Sequence, residues 1–354
     1  MKYLPNPKRL QFELSNVCNL HCLGCVRTET TLNSVKAAIG DPTYLSVDTF
    51  YKIITDSALD SIVDLDFCGR IDDPLAHPDF LKILEMAIEH KSFKIFIHTN
   101  GGLRNPEYWK KLGNLLKGTD HVVMFNVDGL EDTNHIYRQG SVWSNIVANA
   151  KSYISTGANA TWQYIEFPWN KHQIPEALLL SKELGFQSFN VRQDRSRIQH
   201  KSLEQIVVMK QRTQIPEQNR DTFLLHPRYD TSYEITCMNK VDNMYFIDHT
   251  GKLWPCCFIP NGFIEDNNKL AQKEYLQDRI YGSYSDTTWN DCNLHDVSSI
   301  INHKFYTEDL VDSWNSEQHG IETKDRIFRC TETCSSRATA IKPSANFTTK
   351  KFNQ

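Results

Sequence analysis

No apolar run in this sequence approaches the ~18 residues that a membrane span requires. The first sixteen residues, M-K-Y-L-P-N-P-K-R-L-Q-F-E-L-S-N, hold no hydrophobic stretch of signal-peptide length, and Pro5 and Pro7 interrupt them. A cytoplasmic location without membrane contact is the expectation. Glycine and proline are scarce, 15 and 13 among 354 residues, which excludes collagen-like and low-complexity chains. Neither sign of charge dominates: 39 Lys and Arg face 43 Asp and Glu, and the net charge of −4 argues against a dedicated nucleic-acid binder. With 40% hydrophobic residues the chain is long enough to bury a core without disulfides. Cysteine, by contrast, is plentiful. Ten thiols in a reducing compartment point to metal ligation or catalysis more than to bridges.

The first half alternates strand-like and helix-like segments. Strands are expected at 10–15, 62–68, 93–98, 121–127, 161–167 and 186–192, and helices at 46–59, 78–90, 105–116, 141–156 and 172–184. Six strand–helix repeats with short connections predict a parallel sheet, curled by right-handed crossovers into a partial (β/α)6, TIM-like barrel. A site would then lie at the C-terminal strand ends. Residues 1–192 are read as this barrel and 193–235 as a polar linker or insertion. A second domain is expected over 236–340, and 341–354 as a loose tail. A β-hairpin is expected at 244–256, with Gly251 in its turn.

The cysteines are placed where chemistry is expected. Cys18, Cys22 and Cys25 (C-N-L-H-C-L-G-C) follow the first strand. Three thiolates on one tight loop can ligate three irons of a [4Fe–4S] cube and leave the fourth open to a small molecule. A zinc site completed by His21 is the alternative. In the second half, Cys237, thirteen residues, Gly251, four residues and Cys256 are followed by the pair Cys330 and Cys334. A hairpin turn and a later pair could close a four-thiolate cage, with a zinc ribbon as the alternative. Cys256 and Cys257 point apart on an extended chain, and Cys292 remains a possible substitute ligand. On the fifth strand Trp162, Tyr164 and Glu166 share a face; if that face looks inward, Glu166 lies at the barrel mouth and could move a proton. Cys68, at the end of the second strand, could face the substrate and donate a hydrogen atom. Arg192, Arg195, Arg197 and Lys201 form a basic cluster that could hold a phosphate or carboxylate.

The C-x3-C-x2-C loop after the first strand resembles the signature of the radical S-adenosylmethionine (SAM) superfamily. The resemblance implies a SAM-binding [4Fe–4S] cluster, cleavage of SAM to a 5′-deoxyadenosyl radical, and an electron donor such as flavodoxin or ferredoxin. Gly24 stands where an aromatic residue is common in that family. The segment C-G-R-I-D-D-P-L (68–75) resembles its G-G-E-P-like motif, which places Gly69, Asp73 and Pro74 at the SAM ammonium, with Asp72 replacing the second glycine. Thr99-Asn100-Gly101 resembles its T-N-G near the ribose. Asp128 and the later His135-x-x-Arg138 resemble a D-G…H-x-x-R stretch, with Arg138 pairing the SAM carboxylate. The C-terminal spacing is similar to the SPASM/Twitch subgroup. In its shorter, Twitch form it implies one auxiliary [4Fe–4S] cluster on Cys237, Cys256, Cys330 and Cys334. The implied outcome is oxidation or cross-linking of a peptide or small polar metabolite, with radical epimerisation, or a non-catalytic iron–sulfur or zinc protein, as alternatives.

Overall fold

The computed structural model describes residues 3–29, 39–194, 234–260, 277–282, 284–314, 327, 330, 333–334 and 348–352. Six parallel strands run in sequence order: β1 (Arg9–Phe12), β2 (Asp64–Phe67), β3 (Lys94–Thr99), β4 (Val122–Asn126), β5 (Ala160–Glu166) and β6 (Ser188–Gln193). Between them lie the helices α1 (Val47–Ile54), α2 (Phe80–His90), α3 (Pro106–Leu116), α4 (Trp143–Ile154) and α5 (Ile174–Glu183). This is the partial (β/α)6 barrel that the alternation predicts. Local chemistry sets the ends. The Ser46 side chain accepts from Thr49 N–H at 3.0 Å and starts α1, and Asn105 accepts from Tyr108 N–H at 3.0 Å, with Pro106 as the first residue of α3.

Alternation divides each strand between two faces. Leu10, Phe12, Leu65, Phe67, Ile95, Ile97, Val123, Phe125, Trp162, Tyr164 and Phe189 join one buried cluster with Phe50, Phe80, Trp109, Ile146 and Tyr153 of the helices. Phe12 meets Phe50 at 5.0 Å between ring centres, Phe67 meets Phe80 at 5.6 Å, and Trp109 stacks on Phe125 at 4.9 Å. Each fully buried ring stabilises the fold by roughly 1.5–3 kcal/mol. The opposite face of the sheet carries Gln11, Asp66, Cys68, His98, Asn126, Gln163, Asn190 and Arg192. Phe96, Met124 and Phe246 share this face by the same register, so the inner face of the barrel is mostly polar with an apolar minority.

Two strands come from the chain's far end. β7 (Met244–Ile247) pairs parallel with β1, register Leu10–Tyr245 and Phe12–Ile247. It turns at Gly251 (φ 86°) into the antiparallel β8 (Leu253–Trp254). The expected hairpin is present, but it extends the barrel sheet. At the other edge β9 (Thr348–Lys351) pairs antiparallel with β6. This corrects the loose tail expected over 341–354: the open edge of β6 offers unpaired backbone groups, and Thr348–Lys351 satisfies them. Most of the expected linker, residues 195–233, lies outside the described residues, as do Arg195, Arg197 and Lys201.

Candidate active site

The loop after β1 carries Cys18, Cys22 and Cys25 across the C-terminal ends of the strands. His21 N–H donates to the Gln139 carbonyl at 3.0 Å and Leu23 N–H to the Tyr137 carbonyl at 2.9 Å, laying the loop along the segment that follows β4. Each sulfur meets a different part of the barrel mouth. Asn100 Nδ2 lies 3.9 Å from Cys18 Sγ, Arg138 Nη1 lies 4.0 Å from Cys22 Sγ, and Cys25 Sγ lies 3.9 Å from the Arg70 carbonyl. The three thiols are close enough to act on one another electrostatically. Burial pushes Cys22 up to about 11 while Arg138 opposes the shift, and burial followed by Asp73 raises Cys18. They are nonetheless not gathered around a single point. Among the described residues, only Asp66, Cys68 and His98 bring three such ligand atoms within 4.8 Å of one another. A zinc ion with bonds of about 2.3 Å would draw its sulfurs to about 3.8 Å apart. Three thiols on one loop are the soft donor set that a polynuclear iron–sulfur cluster takes.

The motif residues at the following strand ends converge on this loop. The Asp73 carboxylate accepts from Thr99 Oγ1 at 3.0 and 3.1 Å, from Asn100 N–H at 2.8 Å and from Leu75 N–H at 3.1 Å. It thereby caps the turn Pro74–Ala76 and ties the β2 and β3 ends together. Asn100 Nδ2 also donates to Asn19 Oδ1 at 2.8 Å, inside the cysteine loop. Asp128 is fully buried; it accepts from Arg138 Nε and from Ile165 N–H, both at 2.7 Å. Burial raises the Asp73 and Asp128 carboxyls, with Thr99 and Asn100 opposing at the first and Arg138 at the second. Gly69 has a steric reason to be glycine. A Cβ there would stand 1.5 Å from Asp72 Oδ1, and Asp72 Oδ2 accepts from Leu14 and Ser15 N–H at 3.0 Å. His135 makes no contact with the cysteines among the described interactions; Arg138 does.

Cys68 lies on the polar inner face, one residue beyond the paired Phe67–Ile97. Asp66 Oδ1 and His98 Nε2 are 3.5 Å apart beside it. Burial lowers His98, leaving it neutral near neutral pH. Glu166 does not join this group. It shares its face with Trp162 and Tyr164, whose rings pack toward the helices, and its carboxylate pairs with Lys171 Nζ at 3.0 Å. Alternation alone could not say which face of β5 looks inward.

One buried network was not anticipated. Glu13 is fully buried; its carboxylate accepts from Arg70 Nη2 at 2.9 Å, Arg70 Nε at 3.0 Å and Arg70 N–H at 2.9 Å, and it meets His249 Nδ1 at 2.9 Å. Burial opposes ionisation, yet Arg70 and His249 hold the carboxyl at about 2. The network joins β1, the loop after β2 and the β7–β8 turn. The only sequence signal was a Glu at an inward-alternating position next to a buried run.

In the second half, Cys237, Cys256, Cys330 and Cys334 line one cavity, together with Ile259, Leu310 and Trp314. Tyr3, near the chain start, reaches it: Tyr3 Oη is 3.3 Å from Cys237 Sγ and donates to the Pro255 carbonyl at 3.1 Å. A hydrogen bond to Cys334 lowers Cys237 to about 6. Cys257 and Cys292 are not part of this lining. Cys257 is instead close enough to Arg70 and Glu13 for their charges to act on it.

The profile of the Radical SAM superfamily matches residues 12–178. A stretch of 141 residues, 40% of the chain, is 28% identical to the tungsten-containing aldehyde ferredoxin oxidoreductase cofactor-modifying protein of Pyrococcus furiosus, and spans 36% of that protein. Among solved structures, anSMEcpe with bound AdoMet and Kp18Cys peptide superimposes with a TM-score of 0.54 at 13% identity, covering 94% of this chain and 90% of that one. SuiB of Streptococcus suis bound to precursor peptide SuiA gives 0.51 at 16% identity, covering 92% and 76%. The chain therefore carries a radical SAM superfamily domain over residues 12–178.

Proposed function

We propose that this protein is a Twitch-type radical SAM oxidoreductase, which oxidises or cross-links a peptide or a small polar metabolite. The observation that carries the reading is the convergence of Asn100, Arg138 and the Arg70 carbonyl, from three separate strand ends, on the sulfurs of Cys18, Cys22 and Cys25. When bound, a [4Fe–4S] cluster on these thiolates supplies the electron that cleaves SAM and yields the hydrogen-abstracting radical. Asp73, held by Thr99 and Asn100, is the acceptor for the SAM ammonium. Arg138, oriented by Asp128, would pair with the SAM carboxylate. Tyr137, Phe167 and Trp169 pack with Leu23 beside the loop and offer apolar surface to a base.

The cavity lined by Cys237, Cys256, Cys330 and Cys334 supports an auxiliary [4Fe–4S] cluster. Four protein thiolates leave no open iron, so the group suits electron transfer away from a substrate radical. The mostly polar inner face of the barrel suits a polar substrate. The peptides in the anSMEcpe and SuiB structures make a peptide the first class to assay. A flavodoxin or ferredoxin is the fitting donor.

Anaerobically reconstituted protein should hold about eight irons per chain and, with dithionite, convert SAM to 5′-deoxyadenosine. Cys18→Ala should abolish that product. Cys256→Ala should keep it while iron falls to about four. Protein that takes up zinc in place of iron and leaves SAM intact would overturn the assignment.

A further inference from the structure

We propose that Asp66, Cys68 and His98 form a mononuclear divalent-metal site of zinc type on the inner face of the barrel, separate from both cysteine sets. Their ligand atoms, a carboxylate oxygen, a thiol sulfur and an imidazole nitrogen, all lie within 4.8 Å of one another. A tetrahedral zinc with bonds of about 2.0–2.3 Å places neighbouring ligand atoms roughly 3.3–3.8 Å apart. The Asp66 Oδ1 to His98 Nε2 distance of 3.5 Å falls within that span.

A second observation points the same way. Asp66 is only 9% exposed, and its Oδ1 has no hydrogen-bond partner among the described residues. The 3.5 Å approach of His98, neutral near neutral pH, is therefore a contact without hydrogen-bond geometry. The Arg9 and Arg192 charges act on this carboxylate without donating to Oδ1; a buried oxygen left without a partner is unfavourable, and a cation held jointly with Cys68 and His98 would satisfy it. Strand geometry supplies the arrangement. Asp66 and Cys68 are two residues apart on one face of β2, and His98 stands beside Cys68 on β3, across from it by continuation of the Phe67–Ile97 register.

Binding releases the Cys68 proton to solvent, and the thiolate and the carboxylate balance the two positive charges of the ion. Three protein ligands leave a fourth position open to water or to an oxygen, nitrogen or sulfur of the substrate, as in catalytic zinc sites. A metal-bound Cys68 has no S–H hydrogen to donate, so this assignment excludes a role for it as a hydrogen-atom donor.

The test uses the iron-loaded protein, so that the cluster cysteines are already occupied. It is passed through EDTA, incubated with zinc, desalted and analysed for zinc and iron together. About one zinc per chain is expected in the wild type, with less than about a tenth of that in Cys68→Ala and in His98→Ala at unchanged iron. Zinc X-ray absorption of the wild type should show one sulfur near 2.3 Å, with nitrogen and oxygen near 2.0–2.1 Å. No zinc above background at full iron content, or a four-sulfur environment, would overturn the site. Iron content and 5′-deoxyadenosine formation in the same samples report separately on the radical SAM reading. If either alanine variant fails to fold, the wild-type absorption spectrum still decides.

Discussion

Gly69 and Glu13 show how single residues hold the mouth of the barrel. Replacing Gly69 with alanine drives a methyl group into Asp72 Oδ1, at 1.5 Å. The Asp72 carboxylate then has to leave the Leu14 and Ser15 amides that it accepts from. Two buried donors lose their acceptor, which costs about 1–3 kcal/mol each. The expected result is a clear drop in the thermal midpoint of Gly69→Ala, and, on the proposed role of Asp73, which follows Asp72, a fall in SAM affinity; an unchanged midpoint contradicts the packing. Glu13 adds a pH dependence. Its folded value of about 2 lies below the ordinary 4.5, so its ionised form stabilises the fold above about 4.5, and that contribution disappears as pH falls through about 2. Glu13→Gln leaves Arg70 without a carboxylate and should cost about 3–5 kcal/mol. In urea melts at successive pH values the variant should lose less stability than the wild type between pH 5 and pH 2; parallel curves would refute the network. Glu13 was not legible in the sequence as a structural clamp, because its partners lie 57 and 236 residues away and are set only by the sheet register.

The same contrast between local and distant signals holds for whole elements. All six barrel strands and five helices were readable, since apolar spacing is written within a few residues of each element. The order of the Asp73, Thr99–Asn100 and Asp128–Arg138 motifs, one per strand end, was readable through the resemblance to the radical SAM superfamily, once local signals had placed the strands. The partner of a strand is not local. Nothing near Met244–Ile247 announces that it lies beside β1, and nothing near Thr348–Lys351 announces β6. The inward face of β5 was also illegible by parity alone, although its large aromatics could have signalled the side that packs on helices, where ring volume is needed. β9 makes a direct prediction. Removing residues 348–354 reopens the β6 edge, so amide exchange in β6 should accelerate while exchange in β1 and β2 stays slow. Equal protection of β6 in the shortened chain would show that β9 contributes nothing to that edge.

Across the whole molecule, the parallel pairing of β7 with β1 changes what counts as a unit. The sequence suggests a barrel to residue 192 and a second domain from 236, and two such bodies would unfold separately. Instead, Leu10 and Phe12 share one buried cluster with Tyr245, Phe246, Ile247, Leu253 and Trp254, and Tyr3 reaches across to Cys237 and Pro255. The Glu13–Arg70–His249 network closes the same seam from the polar side. A chain ending at residue 235 would expose β1 as an edge strand and uncover that apolar face, leaving Glu13 and Arg70 without His249. It should aggregate or remain unfolded, even though it keeps all three cysteines of the N-terminal loop. The intact protein should melt in one calorimetric transition, with the aromatic signal of Trp254 and Trp289 lost together with the helical signal of the barrel. A soluble, folded 1–235 fragment, or two well-separated transitions in the full chain, would mean that the seam between β1 and β7 is a docking contact between independent domains.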